Sequence, residues 1–192
     1  QAFGGKSIAN EVYTTASGYR ACAMGCKSTA SGYITCAMGN KSTAIGFVVK
    51  ATGTGSSASG YCSHATGQSS SAFGYLSCAT ATNSSAFGRS SKATGAGSTA
   101  SGYFSIATGI SSTAIGMKSC ADVQNSTAVG DHSCATVIRT SAFGFYSKAT
   151  ADGASAFGRT ALASGIYSTA SGYQSCASGT SSSAFGRNTC AT

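Results

Sequence analysis

The chain contains no proline and no tryptophan, and only four acidic residues (Glu11, Asp122, Asp131, Asp152) and two histidines (His64, His132) stand among its 192 positions. Each shortage excludes something. Proline donates no backbone hydrogen bond, so a chain without it can be ladder-forming strand throughout. Four carboxylates and two distant histidines leave little from which to assemble an acid–base pair or a metal centre. No catalytic residue, cofactor or metal site is therefore expected, and the chain does not read as an enzyme. No apolar run approaches the roughly 20 residues of a membrane-spanning helix. The net charge of +8 comes from the shortage of acids, because the twelve Lys and Arg scatter instead of forming a basic stripe. Nucleic acid is thus not an expected partner.

What is present is a repeat. Ala recurs at every seventh position from Ala2 to Ala191, and Gly usually follows two residues later, as at Gly4, Gly18, Gly25 and Gly32. The exceptions, Glu11, Ala81, Val123, Val137 and Ala151, all fall in alternate half-repeats. Seven of the nine cysteines also share one place, the eighth of fourteen. The true period is therefore fourteen. Counting places one to fourteen from Gln1 gives about 13.7 coils and a single repeat domain over residues 1–192. A repeat this strict specifies a solenoid, whose function lies on a surface rather than in a pocket.

Helix does not fit the pattern, since a coiled coil needs two large apolar residues per heptad and the fixed residues here are small. Glycine at this frequency would also cost a helix about 1 kcal/mol each. Alternation fits better. Ser28, Ala30 and Gly32 are spaced by two, so in a strand they face one way, into a narrow interior. The sequence thus specifies an all-β, parallel β-roll with fourteen residues per coil: two short strands and two turns. The turns are expected at places five, six, twelve and thirteen. Coils stacked about 4.8 Å apart would make a rod on the order of 65 Å long.

Four columns face outward. The third place carries Phe73, Phe87, Ile115, Val129, Phe143, Phe157 and Phe185, besides Phe3 and Ile45. An apolar column of that length on a lone chain predicts burial against another chain. The remaining third places are Ser, and each of those coils has Tyr at the fifth place, as in Ser17/Tyr19 and Ser59/Tyr61. One large ring per coil is expected to cover this surface. Arg89, Arg159 and Arg187 share the fifth column, which reads as a solvated turn edge. The eighth place stacks Cys22 above Cys36, Cys120 above Cys134 and Cys176 above Cys190. Neighbouring coils bring such pairs within disulfide reach; the alternative is a small apolar face that a partner chain covers. With nine cysteines, at least one thiol is free or intermolecular. The tenth place holds Thr52, Thr66, Thr80, Thr94 and Thr108.

The rows resemble the head repeats of YadA-like trimeric autotransporter adhesins. The resemblance is carried by Asn83-Ser84-Ser85-Ala86-Phe87-Gly88-Arg89-Ser90-Ser91-Lys92-Ala93-Thr94-Gly95 and by Asn125-Ser126-Thr127-Ala128-Val129-Gly130. It implies a left-handed parallel β-roll, three of which pack around an axis through the apolar residues beside Ala. It further implies a binding head exposed at a cell surface, with the third-place column lining the trimer axis. The expected partners are copies of this chain, laterally and end to end, and a surface receptor whose identity the sequence does not give.

Two functional classes follow. The first is an extracellular structural or adhesive fibre module, at a cell or virion surface. The second is an ice-binding solenoid that uses the Thr column, although the companion column is Cys and Lys rather than a second rank of Thr. Neither end carries an atypical capping row, which predicts a piece of a longer chain or a unit that stacks end to end.

Overall fold

The computed structural model describes all residues, Gln1–Thr192, and contains only strands, turns and bends. Twenty-eight short strands alternate, two to a coil. The first of each pair covers places one to three, as in Ser85–Phe87, and the second covers places eight and nine, as in Lys92–Ala93. Every strand pairs in parallel with its equivalent fourteen residues away, so that Ala72 lies beside Ala86 and Ala121 beside Ala135. The chain divides into two compact units, residues 1–97 and 98–192. Each unit is a parallel β-solenoid with fourteen residues per coil.

The interior is as narrow as the composition demands. Ala30, Ala37, Ala86 and Ala93 are fully buried, as are Ser28, Ser42 and Ser84 at the fourteenth place. Gly39, at the eleventh place, stands where backbone passes closely over backbone, a constraint that the coils with Glu11, Ala81, Val123, Val137 and Ala151 escape. A Cβ there would lie 2.1 Å from the carbonyl oxygen of Gly53 in the next coil. Gly46, at the fourth place, has both constraints at once: its φ is +130°, and a Cβ would lie 2.1 Å from the oxygen of Gly60. Stacking at strand spacing leaves no room for side chains where backbone rides directly over backbone.

Hydroxyl groups close the turns. Ser70 Oγ donates to the Gly67 carbonyl at 2.7 Å and Ser133 Oγ to the Gly130 carbonyl at 3.0 Å, each bonding three residues back. The backbone N–H of place fourteen bonds the same way, as Ser28 N does to Gly25 O at 3.0 Å. The inward serines thus pin the corners as well as filling the core. Ten other inward hydroxyls, Ser28, Ser42 and Ser56 among them, have no partner.

Every coil also bends through left-handed backbone at the sixth place, and every complete coil at the thirteenth. Positive φ at the third residue of a four-residue turn is the type II pattern, which favours Gly or Asn. Here the residues include Ile34 (φ 52°), Val48 (φ 54°) and Thr160 (φ 55°), whose branched Cβ makes the conformation costly. The neighbouring coil imposes it. The N–H of Ile34 donates to the Tyr19 carbonyl at 2.9 Å, and that of Lys27 donates to Val12 at 2.9 Å, so the turns carry the ladder onward.

One boundary differs from the sequence expectation. In four successive coils the first strand runs on through the fifth place: Thr29–Tyr33, Thr43–Phe47, Ser57–Tyr61 and Ser71–Tyr75. The fifth place there is strand, not turn. The rings it carries stack on each other, and stacking keeps their backbone in register.

Candidate functional site

The first strands present the third and fifth places outward. In the first unit, Phe73 and Phe87 are register partners whose rings stack at 5.6 Å, and both stay exposed. In the second unit, Ile115, Val129, Phe143 and Phe157 follow one another in register on four consecutive coils. Phe143 and Phe157 stack at 5.4 Å, and Phe185 is the most open of the set at 66%. Each unit therefore shows apolar third-place residues to solvent, two coils running at Phe73–Phe87 and four at Ile115–Phe157, with Ser at the third place of five other coils. Flanking them, the first-place Ser and Thr are half-buried.

The fifth place is more ordered than the sequence reading allowed. Tyr19, Tyr33, Phe47, Tyr61 and Tyr75 form a continuous stack with centroids 4.9 to 5.3 Å apart and planes nearly parallel. Arg89 continues it, its guanidinium 5.4 Å from the Tyr75 ring. In the second unit Arg159 lies between Phe145 and Tyr173, at 5.4 and 5.6 Å, and Arg187 caps Tyr173 at 5.5 Å. The three arginines are thus built into the edge of the fold by cation–π contact. The edge stays exposed, and the ladder gives it an order that the reading as a solvated turn edge did not include. Phe73/Tyr75 and Phe143/Phe145 place two rings on one coil, against the expected one, whereas Ser17/Tyr19 and Phe87/Arg89 keep to it.

The second strands present the eighth and tenth places. Cys22 and Cys36, Cys120 and Cys134, and Cys176 and Cys190 are register partners, as their spacing implied. All nine cysteines are free thiols, half-buried except for exposed Cys190. Burial pushes the Cys78 thiol up, and it does the same to Cys36, helped by its neighbour Cys22. Within the Cys120–Cys134 pair the hydrogen bond between the two sulfurs separates them. Cys120, the donor, is driven well above the ordinary thiol range, while Cys134 is lowered to about 7. Thr66, Thr80, Thr94 and Thr108 are exposed at the tenth place and Thr52 is half-buried. Their outer neighbours in the eighth column include Lys50, His64, Cys78 and Lys92. His64 turns Nδ1 to the Cys62 carbonyl at 3.0 Å, and His132 stacks on Tyr146 at 4.5 Å.

Among curated proteins, no relative matches. Among solved structures, the chain is similar to the collagen-binding domain of the Yersinia adhesin YadA, with 26% identity over 73% of this chain and 63% of that one, at a TM-score of 0.37. The chain thus spans less than two thirds of that domain's length. The model of the YadA head domain repeat matches residues 51–77, 79–105, 93–119, 107–133, 138–161 and 163–189. These matches span both units and most of the coils, and on them the chain belongs to the YadA head-repeat family.

Proposed function

We propose that this chain is an adhesive head or fibre module that self-assembles through its third-place column and works at a cell or virion surface. Family membership supports the adhesive reading. The observation that carries assembly is the apolar stripe, in which Phe87 and Phe157 are each 40% exposed on a chain that otherwise buries only Ala, Ser, Thr, Gly and a single Val. A core of such small residues leaves the large apolar side chains of the third place outside it, so their burial has to come from contact between chains. Association through the stripe supplies it. The fifth-place ladder and the Thr column remain outside that contact and are left for the surface partner.

Replacing Phe87 and Phe157 together with Asp tests the reading, with chemical cross-linking and light scattering as readouts. The double variant is expected to be a monomer that no longer coats or attaches to target surfaces. Substituting Thr94 and Thr108 leaves assembly intact. Retention of the assembly in the Phe variant would overturn the proposal. A freezing-point depression without a melting-point change, lost when Thr94 and Thr108 become Leu, would assign the surface to ice instead.

A further inference from the structure

The second unit holds one thiol pair that differs from the others. Cys120 and Cys134 are register partners on parallel strands, which sets their Cα atoms about 4.8 Å apart, inside the span of a disulfide. The Cys120 thiol faces the Asp122 carboxylate at 3.0 Å, and Thr108 Oγ1 donates to the other carboxylate oxygen at 3.3 Å. Lys148 is the next residue in the column beyond Cys134. The corresponding position two residues after the first cysteine is Met24 in the Cys22 pair and Ser178 in the Cys176 pair, so neither carries this carboxylate. A shallow, mainly apolar groove lined by Tyr103, Phe104, Ile106 and Lys118 opens at Cys120, on the side away from Cys134; Cys134 is itself half-buried at the outward eighth place.

We propose that Cys120 and Cys134 are a redox-active dithiol, which exchanges with a small external disulfide of the glutathione class and closes into a bridge between adjacent coils. The roles follow from position. Cys134, as thiolate beside Lys148, attacks one sulfur of the external disulfide. A mixed disulfide forms on Cys134, and the first small thiolate leaves and takes up a proton from water. Cys120 then gives its proton to Asp122 and attacks the Cys134 sulfur. The inter-coil disulfide forms, and the second small thiolate departs with the proton that Asp122 holds. In total the two sulfurs lose two electrons to the external disulfide, which becomes two thiols; one of their protons comes from Cys120 by way of Asp122, and the other is the solvent proton that Cys134 released on ionising. The low value for Cys134, about 7, agrees with its role as the attacking group; Cys120, held as the thiol, attacks only as Asp122 takes its proton.

The experiment exposes the reduced full chain to glutathione disulfide at pH 7, quenches with an alkylating agent at intervals and maps each cysteine by mass spectrometry. Cys134 is expected to react about threefold faster than the half-buried Cys62, whose column neighbours, Val48 and Leu76, carry no charge. The product is a Cys120–Cys134 bridge within one chain. In Cys120→Ser the mixed disulfide on Cys134 persists, and in Asp122→Asn bridge closure slows while the first attack does not. The unmodified chain supplies the rate comparison without any substitution, and circular dichroism checks the fold of the variants. Equal rates at Cys134 and Cys62, no accumulated mixed disulfide in Cys120→Ser, or a bridge that joins two chains would each overturn the proposal.

Discussion

Ser42 and Ser70 occupy the same inward place two coils apart and differ in one contact. The Ser70 hydroxyl reaches the Gly67 carbonyl at 2.7 Å, while the Ser42 hydroxyl is buried without a partner. Replacing Ser70 with Ala should therefore cost about 1 kcal/mol, whereas Ser42→Ala should be neutral or stabilising. Urea unfolding of the two variants checks the sign. Larger changes go the other way: Ala86→Leu overfills a fully buried place and should cost at least about 1–3 kcal/mol. The left-handed turns offer a gain. Thr160 is exposed at φ 55° with a branched Cβ, so Thr160→Asn should raise stability by about 1 kcal/mol. The inward Ala, Ser and Gly were legible because each place admits almost one residue type. The turn conformation was not, because its carriers range from Ile34 and Val48 to Lys41 and Asn83, and side-chain type carries no signal where the neighbouring coil dictates φ.

At the scale of the element, the coil is the unit of stability and register. Deleting residues 57–70 removes one coil and rejoins Ser56 to Ser71, place fourteen to place one. That variant should fold, with unfolding stability reduced by about one coil's share. Deleting only residues 57–63 puts His64 at a first place and moves Phe73 onto the opposite face. It should lose the cooperative transition, which circular dichroism during urea titration would register. The fifth-place stack makes a second test. Phe47 lies 4.9 Å from both Tyr33 and Tyr61, so Phe47→Ala should cost about 1–3 kcal/mol for the two ring contacts together. Reading the columns one residue at a time showed rings in the fifth place but not a ladder. Tyr, Phe and Arg are mixed there, and only the parallel register makes a stack of Tyr19, Tyr33, Phe47, Tyr61 and Tyr75. The thiol pairs were plain from spacing alone; the Asp122 contact that distinguishes one of them depends on a side-chain direction that no spacing encodes.

For the whole molecule, the central claim is that the apolar third-place stripe is an interface between copies of this chain. Large outward residues in the columns were readable from the sequence, because strand alternation assigns their face. What covers them is a property of two chains and lies beyond any one. Sedimentation equilibrium of the unmodified chain, over a wide concentration range and under reducing conditions, addresses it most directly. The account predicts a stable homo-oligomer whose mass is insensitive to reductant and falls to the monomer value when Phe87 and Phe157 are changed to Asp. A soluble monomer across the whole concentration range would contradict it.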